Sequence, residues 1–335
     1  MKNKSNKLIN IEEYVSINGA NQYLFHSGTK YDNPVILYLH GGPGSVESLF
    51  AHAFQDKLTD IFTIVHWDQR GAGKTLTKNP DKYPSIDLML KDLFEVVQYL
   101  KKKYNKQKIV LLGRSWGTVL GSTFIKQYPE EVAYYIGVAQ VVSMLENERV
   151  AYEKMKELIV QADDKKSIKK LEAVGDYPGD KLKIDDAFLK KCMKIRKLQG
   201  KYGLAGKNDL SVYLTTFKSP IFKLSDIPAF SNAMKANRKV YEFLEDFDLM
   251  KESSEYEVPI YYILGDDDWQ APYVIAQDYF SRVNAPNKKL FLIPNAGHRI
   301  MLDQTNLFFD ALSQINDIEH KSELSTQDLT YEAKL

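Results

Sequence analysis

The pentapeptide Gly113-Arg114-Ser115-Trp116-Gly117 constrains this chain more than any other feature. It lies between an apolar β-branched run, Lys108 to Leu112, and a helical stretch, Val119 to Tyr128. A serine at so tight a strand-to-helix turn has a strained backbone, and the small flanking residues let the chain reverse there without clash. Such a turn lifts the hydroxyl above the C-terminal edge of a sheet. The helix N-terminus then faces any negative charge that develops beside it.

The surrounding sequence supplies the sheet. Val35 to Leu39, Phe62 to Val65 and Ile109 to Leu112 are continuous apolar runs of the kind buried on both faces of a parallel sheet. Between the last two, Ser85 opens a helix that keeps Ile86, Leu90, Leu93, Phe94, Val97 and Leu100 on one face, with Lys101 to Lys103 at its C-terminal end. Glu12 to Ile17 and Gln22 to His26 read as a hairpin turned at Asn18-Gly19. A further strand is expected to end at Val142. From Ser143 to Lys251 the texture becomes helical, with Met144 to Ala162 and Ile184 to Leu198 as candidate helices, and strands resume at Val258 to Leu264 and Lys289 to Ile293. The pattern predicts an α/β fold, a mostly parallel central sheet with helices on both faces. Its core spans 1–142 and 252–316, interrupted by a helical cap at 143–251 and followed by a polar tail at 317–335.

Several function classes fall away on composition. Basic and acidic residues nearly balance, 45 against 44, so the electrostatic footprint of a nucleic-acid binder is missing. Cys192 is the single cysteine, which excludes an intrachain disulfide or a zinc site built on several thiolates. Met1 to Asn10 is polar and lysine-rich with no apolar stretch behind it, unlike a secretory leader. The longest mostly apolar run, Tyr134 to Val142, is too short to cross a membrane. The expectation is a soluble, cytoplasmic protein with no membrane or nucleic-acid partner.

A serine hydroxyl attacks only when a base takes its proton. Of six histidines, His298 follows a strand on the loop Asn295-Ala296-Gly297 and comes last in the chain order Ser, Asp, His. His26, His40 and His66 read as packed structural residues, His52 belongs to a surface helix and His320 to the tail. The carboxylate is expected on the loop Gly265-Asp266-Asp267-Asp268. Any of the three aspartates can orient an imidazole, and the position three residues after the glycine favours Asp268. His40-Gly41-Gly42-Pro43-Gly44 follows the Val35 to Leu39 strand and brings backbone N–H groups beside the serine turn. Gly42 and Trp116 are the candidate oxyanion donors, with Gly41 an alternative. Gly71-Ala72-Gly73-Lys74-Thr75 imitates the end of a phosphate-binding loop, but Asp68 stands where that motif needs its first glycine, and no helix is evident directly after Thr75.

Together, His40 to Gly44, Asp68-Gln69-Arg70-Gly71-Ala72-Gly73, Gly113 to Gly117, Gly265 to Asp268 and Ala296-Gly297-His298 resemble the α/β-hydrolase superfamily, specifically its proline iminopeptidase-like branch. The resemblance covers roughly residues 11 to 142 and 256 to 316. It implies an α/β-hydrolase fold and a serine peptidase that removes an N-terminal residue, often proline, from short peptides without metal or cofactor. It also implies that Asp68 to Arg70 form a structural loop near the site, and that acidic side chains of the cap bind the substrate's free amino group. Glu146, Glu148, Glu153 and Glu157 are available for that role, and Glu146 is the candidate. A carboxylesterase or amidase acting on a small acyl substrate would use the same machinery under a different cap. A non-catalytic ligand-binding protein on this fold is the remaining alternative.

Overall fold

Alternate residues of a strand point to opposite faces, and here that alternation builds two cores on one sheet. The computed structural model describes residues 9–204 and 214–332. The first eight residues of the lysine-rich start, positions 205–213 of the helical insertion and the last three of the tail lie outside them. The strands are β1 (Ile9–Ile17), β2 (Ala20–Gly28), β3 (Val35–Leu39), β4 (Thr63–Asp68), β5 (Ile109–Arg114), β6 (Val132–Val138), β7 (Ile260–Gly265) and β8 (Lys288–Ile293). They form one sheet in the order β1-β2-β4-β3-β5-β6-β7-β8. The hairpin β1/β2 and the β2/β4 pair are antiparallel, and every later pair is parallel.

Leu37, Leu39, Ile109 and Leu111 face helices Ile86–Tyr104 and Trp116–Gln127, whereas Ile36, Tyr38, Val110 and Leu112 face the C-terminal helix Thr305–Glu332. Ser85 caps its helix by accepting from the Leu88 N–H at 3.4 Å, and Asn105 closes it in the left-handed conformation at φ 51°. Between β3 and β5 the direction of winding reverses, since β4 lies to one side of this pair and β6 to the other. Loops leaving the C-terminal ends of two such strands diverge and open a crevice, and that is where both glycine-containing motifs sit.

Three expectations need correction. The strand ends at Val138 rather than Val142, because Ala139 turns the chain with φ 50°. A helix does follow the imitation phosphate loop, Gly73–Lys78, but it serves another purpose. The Asp68 carboxylate accepts the Lys74 N–H at 2.8 Å, and the Lys74 ammonium pairs with Asp226 at 2.7 Å, so both groups a phosphate would need are engaged. Finally, the C-terminal helix runs straight through residue 317, because Phe308, Ala311, Leu312 and Ile315 anchor it to the sheet and the Tyr261 hydroxyl donates to Glu319.

Between β6 and β7 the described chain is helical, chiefly Met144–Gln161, Lys165–Glu172, Asp186–Lys201, Ile227–Ala236 and Arg238–Leu244. Its two ends meet: the Leu249 N–H donates to the Val142 carbonyl at 2.8 Å and the Met144 N–H to Phe247 at 3.3 Å. Its interior is a separate apolar cluster including Met155, Ile159, Tyr177, Ile195 and Leu198. Among the described residues, no helix is long and apolar enough to cross a membrane.

Candidate active site

Ser115 follows β5 directly and caps helix Trp116–Gln127, with φ 51° and ψ −119°, a region that L-residues with a side chain seldom occupy. The strain is held from outside by the Ser115 N–H, which donates to the Val138 carbonyl of the neighbouring strand at 3.0 Å. The second glycine of the motif is required by packing, because a side chain at Gly117 would collide with the backbone carbonyls of Leu39 and His40. The close approach of helix and β3 that glycine allows is what sets Ser115 beside the His40 to Gly44 loop.

The loops after β7 and β8 are laced together. The Asp266 N–H donates to Ile293 O at 3.1 Å and the Asp267 N–H to Ala296 O at 2.9 Å. This lacing brings His298 to Asp268, whose Oδ2 lies 2.9 Å from Nδ1 of the ring. Both are buried, at 4% and 1% exposed. An ionised carboxylate only accepts, so the proton resides on Nδ1 and the Nε2 lone pair faces Ser115 Oγ at 3.1 Å. The other Asp268 oxygen accepts the N–H groups of Gln270 and Ala271, both at 3.0 Å, which fixes the carboxylate. Of the three consecutive aspartates, Asp268 is the one turned inward; Asp266 and Asp267 are half-buried at the turn. Burial pushes the His298 imidazole below its ordinary value, with Arg114 and Arg299 acting in the same direction and Asp268 opposing.

Ser115 and His298 open on a cavity of about 100 Å³ whose lining includes Gly42, Trp116, Val119, Met144, Glu148, Arg196 and Leu244. Trp116 is the first residue of its helix, where N–H groups lack intrahelical acceptors. Gly42 lies on the opposing loop. Gly41, the alternative donor, is otherwise engaged: its N–H donates to Glu47 Oε2 at 3.2 Å. The loop is further braced by Gln69, whose N–H donates to His40 Nε2 at 3.1 Å while its side-chain oxygen accepts from the Trp116 indole at 3.0 Å. His40 is thereby fixed with its proton on Nδ1, donating to Gly41 O at 2.8 Å, and burial holds its pKa down at about 4.

Glu146 does not reach the cavity. It pairs with Arg149 on the solvent side of its helix, and Glu153 and Glu157 lie on that side too. The inward glutamate is Glu148, 3% exposed, which accepts from the Tyr177 hydroxyl and pairs with Arg196. The helical period explains the difference. Met144, Glu148, Ala151, Met155 and Ile159 share one face at i, i+4, i+7, i+11 and i+15, so the apolar residues of the sequence already marked the face that carries Glu148. Glu47, which ion-pairs with Arg114 in the interior, is a second residue that motif reading missed. No motif contains it, and only the fold brings Arg114 to it.

A family model described as serine aminopeptidase, S33 matches residues 32–305. The probable aminopeptidase YbaC of Bacillus subtilis is 28% identical over 312 residues, covering 92% of this chain and 96% of that protein. A proline iminopeptidase of Lactobacillus crispatus is 24% identical over 318 residues, covering 90% and 96%. Among solved structures, a proline iminopeptidase-related protein of Thermus thermophilus superposes with a TM-score of 0.65 at 20% identity, covering 91% of this chain and 96% of that one. An esterase from Exiguobacterium antarcticum reaches 0.59 at 14% identity, covering 92% and 100%. At such identities the structural likenesses speak to the fold alone. With the family model spanning β3 to β8, the crevice and the helical insertion, the chain belongs to the serine aminopeptidase S33 family, as a proline iminopeptidase-like α/β-hydrolase.

Proposed function

We propose that the protein is a serine aminopeptidase that releases the N-terminal residue of short peptides. The observation that carries this reading is the hydrogen-bonded chain Ser115–His298–Asp268 opening on a small cavity that also holds Glu148. Ser115 Oγ attacks the carbonyl carbon while His298 Nε2 takes its proton, and Asp268 holds the ring in the reactive tautomer. The N–H groups of Gly42 and Trp116 donate to the oxyanion, each such donor being worth about 3 kcal/mol in the transition state. The tetrahedral adduct collapses as His298 returns the proton to the departing amine, and water activated by the same nitrogen frees the acyl group. Glu148, oriented by Tyr177 and Arg196, places a carboxylate that can accept hydrogen bonds from a substrate's α-ammonium while still paired with Arg196. The helical insertion forms the cap that shields the reaction from bulk solvent.

Aminoacyl arylamides with free and with blocked amino groups, measured beside short acyl esters, test the assignment. Free-amine arylamides of proline, alanine or leucine are expected to be cleaved at least about tenfold faster than their N-acetylated forms. Rapid turnover confined to esters, or indifference to the amino group, would transfer the protein to the carboxylesterase or amidase class. Because burial depresses the His298 pKa, the base form persists as the pH falls, so the acidic limb of kcat/KM is expected below pH 6.5. A limb above that value in a pH–rate profile would contradict the described environment of the ring.

A further inference from the structure

We propose that Gln69 is the positioning residue of the oxyanion site: bonded at once to His40 and to Trp116, it sets the separation of the two N–H donors, Gly42 and Trp116. The role rests on the Ser115 chemistry proposed above and not on which acyl substrate is cleaved. It gives a purpose to the segment Asp68 to Gly73, which that chemistry leaves unused.

The two donors come from different parts of the chain. Gly42 lies on the loop after β3, and Trp116 opens the helix after β5. An oxyanion is stabilised only where both N–H groups stand at hydrogen-bond distance from it, so the two loops must be held in register. Gln69, which follows β4 directly and is fully buried, touches both. Its side-chain oxygen accepts from the Trp116 indole at 3.0 Å, and its side-chain nitrogen donates to the His40 carbonyl at 3.3 Å. An amide carries an acceptor and a donor at one end, which is what a bridge between an indole N–H and a carbonyl requires. The backbone N–H of Gln69 adds a third bond, to His40 Nε2 at 3.1 Å.

From His40 the hold passes along the glycine loop. With Nε2 accepting, the ring proton sits on Nδ1 and donates to the Gly41 carbonyl at 2.8 Å, which also receives the Ser45 N–H at 3.2 Å. Gly42, at φ 114°, lies inside the turn that the Ser45 bond closes. Gln69 is held in turn from its own side. The Ala72 N–H donates to its carbonyl at 2.9 Å, and Arg70 pairs with the buried Asp92 at 2.7 Å. Asn237 of the cap, 1% exposed, donates to the Gly71 carbonyl at 2.9 Å. The frame that sets the two donors is thus tied to the core and to the cap.

Gln69→Leu, which removes both side-chain bonds, and Trp116→Phe, which removes the indole donor and keeps the backbone N–H, test the role. They are assayed on the arylamide or ester that the wild type turns over fastest, with active sites counted by organophosphonate titration. Two inhibitors are compared. An amino-acid aldehyde forms a bond from Ser115 Oγ to its carbonyl carbon, the carbonyl oxygen becomes the oxyanion, and His298 takes the serine proton. The matching amino alcohol forms no adduct. Removing an oxyanion donor outright costs about 10²–10³ in kcat, and in Gln69→Leu, where both donors remain but shift, a fall of about 10- to 100-fold is expected. KM is expected to stay within about twofold, the aldehyde to bind more weakly by a factor close to the loss in kcat, and the alcohol to bind as before. Trp116→Phe is expected to show the same signature at smaller size, and the double variant to lose no more than Gln69→Leu alone, since both remove one bond. Losses that add in the double variant, that fall on KM or on the alcohol, or that vanish once rates are divided by titrated sites would overturn the role. Should Gln69→Leu fail to fold, the aldehyde-to-alcohol ratio of Trp116→Phe decides, and an unchanged ratio overturns it. Failure of the underlying chemistry looks different: the wild type itself resists the phosphonate and binds aldehyde no more tightly than alcohol, and this role falls with it.

Discussion

Ser115→Ala is expected to lower kcat/KM by about a millionfold on every substrate the wild type cleaves, while leaving a folded protein. The size of the effect follows from the proposed chemistry. Without Oγ no acyl-enzyme forms, and the remaining contribution of the oxyanion donors and of substrate binding is only about 10³–10⁴ over water. A second expectation is attached to the backbone. Ser115 is held at φ 51°, a conformation that costs roughly 1–3 kcal/mol for a residue with a side chain. Ser115→Gly should therefore be as inactive as Ser115→Ala yet unfold at higher urea than either the alanine variant or the wild type. Inactivity without that gain would mean the strain is not borne by this residue.

Glu47→Leu is expected to destabilise the fold by about 3–5 kcal/mol, read as a lowered midpoint in urea denaturation. Glu47 is fully buried, ion-pairs with Arg114 and accepts the Gly41 N–H, so its removal leaves a guanidinium in the interior without its ion-pair partner. Burial raises the Glu47 carboxyl above its ordinary value, while Arg114 and the Gly41 N–H oppose the rise. The double variant Glu47→Leu/Arg114→Met removes both charges and is expected to recover most of the stability. Activity should not return with it. Arg114 adjoins Ser115 and donates to the His298 carbonyl at 3.5 Å, and the glycine loop has lost its tether. A loss below about 1 kcal/mol in the single variant would show that the pair is dispensable to the fold.

What the sequence made legible was whatever depends on local pattern. Continuous apolar runs marked the buried strands, Ser85 marked a helix start, and the glycines around Ser115 marked a junction that only small residues permit. Ser115 and His298 could be placed because each lies on a loop directly after a recognisable strand. Asp268 was one of three adjacent carboxylates, favoured by its position three residues after Gly265, and the lacing of the β7 and β8 loops brings it to His298. Glu146 and Glu148 both follow the strand closely, and only the helix face shared with Ala151 and Met155 distinguishes the buried Glu148 from the surface Glu146. Gln69 belongs to a motif that placed it near the site, but its bond to the Trp116 indole joins residues far apart in the chain and no local pattern encodes it. Glu47 stands just past the glycine loop outside any motif, and its partner Arg114 is distant in the chain.

Labelling with an organophosphonate probe followed by peptide mapping tests the central claim most directly, since it depends on the paired serine and imidazole and on no assumption about substrate. One phosphonylated residue, Ser115, is expected in folded wild-type protein, with labelling lost in Ser115→Ala and strongly slowed in His298→Ala. Folded protein that resists the probe, or that carries the label on another residue, would contradict it.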